Sequence, residues 1–226
     1  MAEANPTKQF VFPRWANYLG PAVVALAVGG LAYVTILFAF GASPRTTAVG
    51  YQPPQPVPYS HAIHAGRLGL DCRYCHHTVE TAAFAAVPPT QTCMNCHTTV
   101  KANSDSLKLV RESWQTGEPI QWVKVHDLPD YVYFNHSAHV NKGVGCVSCH
   151  GRIDQMEVVR QVQPLSMGWC LDCHRNPENH LRPRDKITDM SWQPPGGDQR
   201  KIGLALKNEY HIRGPDYMTS CTTCHR

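Results

Sequence analysis

Charge is scarce in this chain. Asp, Glu, Lys and Arg make up 17% of its 226 residues, and 21 cations against 17 anions leave a net charge of only +4. That is no basic excess of the kind that binds nucleic acid. No Gly-rich phosphate loop, no G-x-S-x-G turn and no four-cysteine cluster spacing occurs, so no phosphate-binding, hydrolytic or iron–sulfur signature stands out. Room for long regular elements is limited too, because 18 Pro and 16 Gly punctuate the chain. What the chain does have is 10 Cys and 13 His, and no cysteine stands outside a single repeated pattern.

That pattern is Cys-x-x-Cys-His. It occurs with Cys72, Cys75 and His76; Cys93, Cys96 and His97; Cys146, Cys149 and His150; Cys170, Cys173 and His174; and Cys221, Cys224 and His225. Two thiols at this spacing add across the two vinyl groups of one haem, and the adjacent imidazole reaches the iron from one side. Composition alone would place His after all five second cysteines only about once in a million. A disulfide framework needs no trailing His. Zinc sites pair their ligands differently, and a redox dithiol would occur once, within a βαβ unit. The motifs therefore predict five haem c groups with His76, His97, His150, His174 and His225 as proximal ligands. At about 45 residues per haem, porphyrin must replace much of an ordinary core. The expected fold is a mostly irregular and α-helical multihaem domain with a haem-packed core, short helices and little β structure.

No charged residue stands between Arg14 and Arg45, and Pro21 to Phe40 is almost wholly apolar. That length suits a transmembrane anchor over 15–41 and exceeds the apolar stretch of a cleaved signal peptide. Trp15 and Tyr18 would sit at the water interface. Because haem attachment takes place outside the bacterial cytoplasm, residues 1–14 are expected as a cytoplasmic tail and 59–226 as a periplasmic domain. Prolines 44, 53, 54, 56 and 58 predict an extended stalk over 42–58. Ser104–Trp114 reads as an amphipathic helix with Leu107, Val110 and Trp114 on one side.

First cysteines at 72, 93, 146, 170 and 221 alternate in short and long intervals, as a duplication would leave them. Tyr59-Ser60-His61-Ala62-Ile63-His64 precedes the first pair of motifs, and Phe134-Asn135-His136-Ser137-Ala138-His139 precedes the second. The modules would span 59–100 and 132–177, with the fifth haem at 221–226. This arrangement resembles the tetrahaem cytochromes c of sulfate reducers and their trihaem relatives, in which a His-x-x-His pair supplies sixth ligands to two haems. The resemblance implies His61 opposite His76, His77 opposite His97, His136 opposite His150, and His139 reaching the haem of His225. At the fourth motif Gly151 stands where His77 stands in the first, so Met156, or failing it Met167, is expected to serve the haem of His174. His64 and His126 remain alternative distal ligands, while His180 and His211 are expected at the surface.

Haems with two strong axial ligands, closely packed, read as an electron conduit. The single anchor, the Pro-rich segment, the five motifs, the run Val125–His136 and the run Pro164–Cys170 together resemble the membrane-anchored pentahaem cytochrome c subunits of alternative complex III. That resemblance covers nearly the whole chain. It implies an iron–sulfur subunit related to molybdopterin oxidoreductases, multi-helix quinol-binding membrane subunits, a monohaem cytochrome c and a periplasmic electron acceptor as partners in menaquinol oxidation. A multihaem quinol dehydrogenase, or a nitrite- or hydroxylamine-type haem reductase with an open haem site, is the alternative.

Overall fold

A computed structural model describes residues 12–225, so most of the expected cytoplasmic tail, and the last residue, Arg226, lie outside the described residues. The chain divides into two compact units, Met1–Thr47 and Ala48–Arg226.

The first unit is a helix. A 3-10 turn, Arg14–Tyr18, leads into α1 (Leu19–Ile36), which loosens into a π-helical turn at Leu37–Gly41 and is followed by α2 (Pro44–Thr47). Apolar side chains surround α1 on all sides, without a polar face, and none of them is buried by the chain itself. Thr35, a rare hydroxyl here, donates to Leu31 O at 2.8 Å, so it presents no unpaired donor to an apolar solvent. The stretch Arg14–Gly41, 28 residues, is long and apolar enough to cross a membrane.

The second unit contains only short helices and connecting turns. Among its described residues no strand forms, and one isolated antiparallel bridge joins Val144 to Leu181. Every Cys-x-x-Cys-His motif is built on a helical turn: α3 (Cys72–Cys75), the end of α4 (Thr90–His97), α7 (Val147–His150), α8 (Met167–Arg175) and α11 (Cys221–Cys224). A helical turn puts residues three apart on one face, which is what two thiols aimed at one ring require. Asp71 caps α3 by accepting from Arg73 N, and Ser166 caps α8 by accepting from Trp169 N.

Ordinary core is sparse. Ten hydrophobic side chains among the described residues are buried, too few to hold a domain of this length together. Six of them form two small clusters, Val57, Met94 and Val110 in one and Leu181, Leu206 and Tyr210 in the other. The first cluster corrects an expectation. Val57 belongs to the segment expected as a free stalk, and so do Gly50, whose N–H donates to Gln161 O at 2.8 Å, and Gln55, which pairs with Val123 through both ends of its amide. From Ala48 onward the proline-rich stretch is part of the domain: its extended backbone offers groups that neighbouring loops satisfy.

The expected helix is α5 (Lys108–Thr116), preceded by a 3-10 turn, Asp105–Leu107, and ended by Gly117 at φ +77°. Leu107 and Val110 face inward as expected, but Trp114 is 49% exposed and Ser113 takes the inner position, bonded to Thr90 and to the Glu118 carbonyl. α6 (His136–Asn141) carries the second His-x-x-His block. Near the C-terminus, α9 (Gln199–Glu209) packs on the 3-10 turn Pro177–Asn179. Gly203 makes that approach possible, since a Cβ there would lie 1.8 Å from the Glu178 carbonyl oxygen. α10 (Pro215–Met218) then leads to the last motif.

Candidate haem centres

An imidazole that binds iron through Nε2 needs an acceptor for its Nδ1–H, which fixes the tautomer and the ring direction. Four of the five motif histidines have a backbone carbonyl there: His76 donates to Ala86 O (2.9 Å), His97 to Val100 O (2.9 Å), His174 to Met218 O (2.8 Å) and His225 to Tyr131 O (3.0 Å). His150 differs: its Nδ1 is buried without a partner.

The two His-x-x-His blocks are alike in space as well as in sequence. His64 donates Nδ1–H to Ser60 O (2.8 Å), and His139 to Asn135 O (2.7 Å), four residues back in each case. Tyr59 stacks on His64 at 4.4 Å and meets His61 edge-on at 4.8 Å; Phe134 stacks on His139 at 4.6 Å and meets His136 edge-on at 4.7 Å. His136 completes its own set by donating to Ala83 O at 2.9 Å. In the first block the turn Ala62–Arg67 is held against the 3-10 turn Ile153–Gln155, where Gly66 lets the Asp154 carbonyl come close.

Each block then faces two motifs. Ring centres lie 6.2 Å apart for His64 and His97, 6.4 Å for His136 and His150, and 6.1 Å for His139 and His174. Two metal–nitrogen bonds of about 2 Å, plus about 1 Å from each nitrogen to its ring centre, add to roughly 6 Å. The three separations therefore fit an iron between each pair of rings. Among the described residues, no group of three or more His, Cys, Asp or Glu converges on one point; the rings meet in pairs. His61 lies beside His76, and burial, then the neighbouring His76 and His64, push its pKa down to about 4. His150 is pushed down to about 3, by burial first and then by His126, His136, His76 and His61. These rings are held neutral, as metal ligands must be.

Several expected positions differ. His77, expected opposite His97, is exposed, and His64 stands there instead. His139, expected to reach the fifth motif, faces His174, where Met156 was expected. Met156 is buried beside the first block, its carbonyl accepting from Ala62 N at 3.0 Å, and Met167 is 64% exposed at the start of α8. Gly151 is no lost ligand: it ends α7 at φ +63°, with Val162 where a side chain would point. His126 lies edge-on to His150 at 4.4 Å, too close for a shared iron. His180, expected at the surface, is half-buried, whereas His211 is exposed.

Burial pushes the Cys149 thiol up to about 12 and the Cys173 thiol to about 11. Cys146 is raised by its contact with Cys72 and then by burial, so the attachment edges of motifs one and three adjoin. The carbonyls of Ala83, Ala86, Val100, Tyr131 and Met218 carry no sequence signature, which is why motif reading missed them as the groups that aim the rings.

Comparison with known proteins gives two similarities. Residues 41–127 match the class III cytochrome c family. A menaquinone reductase multihaem cytochrome c subunit from Nitratidesulfovibrio vulgaris is 28% identical over 208 residues, which cover 90% of this chain and 86% of that protein. Both similarities are to cytochromes with covalently bound haem c.

Proposed function

We propose that this multihaem cytochrome c is the electron-transfer subunit of a membrane quinol oxidoreductase of the alternative complex III type, holding five haem c groups. The supporting observation is the duplicated array of facing imidazoles, with ring centres 6.1–6.4 Å apart in three pairs. When bound, haem c supplies reversible one-electron transfer at low-spin iron. The chain's part is to hold the rings. His76 pairs with His61, His97 with His64, His150 with His136, and His174 with His139, so each block serves the two motifs that follow it. His225 is the proximal ligand of the fifth haem. The ten motif cysteines fix each ring covalently, and the carbonyl acceptors keep Nε2 free for iron.

The anchor keeps the domain at the inner membrane, N-terminus inside and haems on the periplasmic face, within reach of quinol-binding membrane subunits. An iron–sulfur subunit, a monohaem cytochrome c and a periplasmic acceptor would complete the path from menaquinol. A second reading, favoured by the relative's designation as a menaquinone reductase subunit, runs the same array in reverse and delivers electrons to menaquinone. The purified complex decides between them. Mixed anaerobically with a menaquinol analogue, it should reduce its haems within a turnover and pass electrons to a periplasmic cytochrome. If the analogue leaves the haems oxidised while a periplasmic donor reduces them and menaquinone is consumed, the reverse direction holds.

A further inference from the structure

Besides His180, His126 is the part-buried histidine that the haem pairing leaves over. Its Nε2 is buried with no hydrogen-bond partner, and so is the Nδ1 of His150. The two rings touch, with centres 4.4 Å apart and planes at 78°. Buried polar atoms without partners are rare, and two of them in one contact are complementary if one ring donates and the other accepts. His150 is also the one motif histidine whose Nδ1–H no carbonyl accepts, whereas His76, His97, His174 and His225 each have one. We infer that His126 Nε2 is the acceptor for His150 Nδ1–H, a positioning residue that replaces the carbonyl used at the other motifs. The rings now meet edge to face. A hydrogen bond between them requires the His126 ring to turn about its terminal torsion, which is a soft one, and to shift slightly outward.

An imidazole nitrogen is a stronger base than a peptide carbonyl. It draws the Nδ1 proton further from His150, gives that ring more imidazolate character and favours the ferric state. The third haem should therefore have a lower potential than a carbonyl acceptor would give it. This inference rests on His150 being a haem ligand, so the mass of the intact holoprotein comes first. A mass short of one haem, with peptide mapping that finds motif three unmodified, overturns that reading independently of any role for His126.

With five haems present, the test is a potentiometric titration with EPR on the full-length protein carrying His126→Leu or His126→Gln. His126→Leu should raise one component about tenfold in its reduction constant, about 59 mV for one electron. All haems should stay low spin, and the component should be the one altered by His150→Met. His126→Gln, which restores an acceptor oxygen, should shift that component by less than half as much on the mV scale, but measurably. Unchanged potentials, or a new high-spin haem that would make His126 an iron ligand, overturn the inference. If the Leu variant fails to take up its haems, the Gln variant decides on the same two readouts.

Discussion

His64 and His77 give the sharpest contrast between what a motif suggests and what a fold does. Adjacency to Cys-x-x-Cys-His made His77 the natural ligand for the next haem, yet it points to solvent and His64 faces His97 at 6.2 Å. His64→Ala should therefore convert one haem from low to high spin and raise its potential, whereas His77→Ala should leave all low-spin signals intact; EPR of the two variants checks both. A second residue-level outcome concerns Asp71, which accepts from the Arg73 backbone and guanidinium and from Thr188 at 3.0 Å. The Arg73 hydrogen bond, outweighing partial burial, holds its carboxyl down at about 2. A carboxylate depressed in the folded state contributes stability above its unfolded value of 3.8, and that contribution is lost as pH falls through about 2. Asp71→Asn should thus lower Tm near pH 5, and its difference from the parent should close as pH approaches 2. The five motif histidines and the two His-x-x-His blocks stood out in the sequence as ligand candidates, because attachment chemistry dictates local spacing. Which ring faces which was legible only in part: His136 meets His150 as expected, whereas His64 opposite His97 and His139 opposite His174 depend on turns such as Ala62–Arg67 meeting Ile153–Gln155 from far away in the chain.

Elements here are short because their packing partners are few, and so a single close approach matters more than in an ordinary domain. α9 sits on the Pro177–Asn179 turn through Gly203, and Lys207 from the same helix reaches the buried Glu178 carboxylate at 3.1 Å. A methyl group on Gly203 would meet the Glu178 carbonyl at 1.8 Å, and since that atom is backbone the helix must move away. Gly203→Ala should cost about 1–3 kcal/mol, although alanine favours helix. Ala205→Gly, on the exposed side of α9, should cost only about 1 kcal/mol of helix propensity. Thermal melts of the holoprotein would rank the two, and a Gly203→Ala protein as stable as the parent would sink the packing argument. Helix periodicity located α5 but misplaced Trp114, because the inner position went to Ser113, whose hydroxyl links α4 and α5 through Thr90. Periodicity reports which positions share a face; it does not report that a small hydroxyl between two helices can displace a large ring.

At the scale of the whole molecule the informative segment is the one between anchor and motifs. Five prolines between 42 and 58 read as a spacer because proline favours extended, solvated backbone. That conformation is also the one that lays a chain along a loop-rich surface and lets neighbours satisfy its free groups. Gly50 and Tyr51 exchange hydrogen bonds with Gln161, Gln52 reaches Val158 O at 2.8 Å, Gln55 holds Val123, and Val57 is 5% exposed against Met94 and Val110. The junction between units accordingly falls at Thr47 and Ala48. Two truncations that both remove α1 should then behave differently. A secreted chain starting at Ala48 keeps these contacts and should be soluble, with its full haem content and the parent's potentials. One starting at Tyr59 strips the Met94 cluster of Val57 and leaves the Gln161 and Val123 backbone groups without their partners. Burial of one valine is worth about 1.5–3 kcal/mol, and each lost hydrogen bond about 0.5–1.5 kcal/mol. The shorter chain should therefore melt well below the longer one or lose the haem proposed for Cys93 and Cys96, which flank Met94. Equal stability and equal haem content in the two would return residues 48–58 to the role of a spacer.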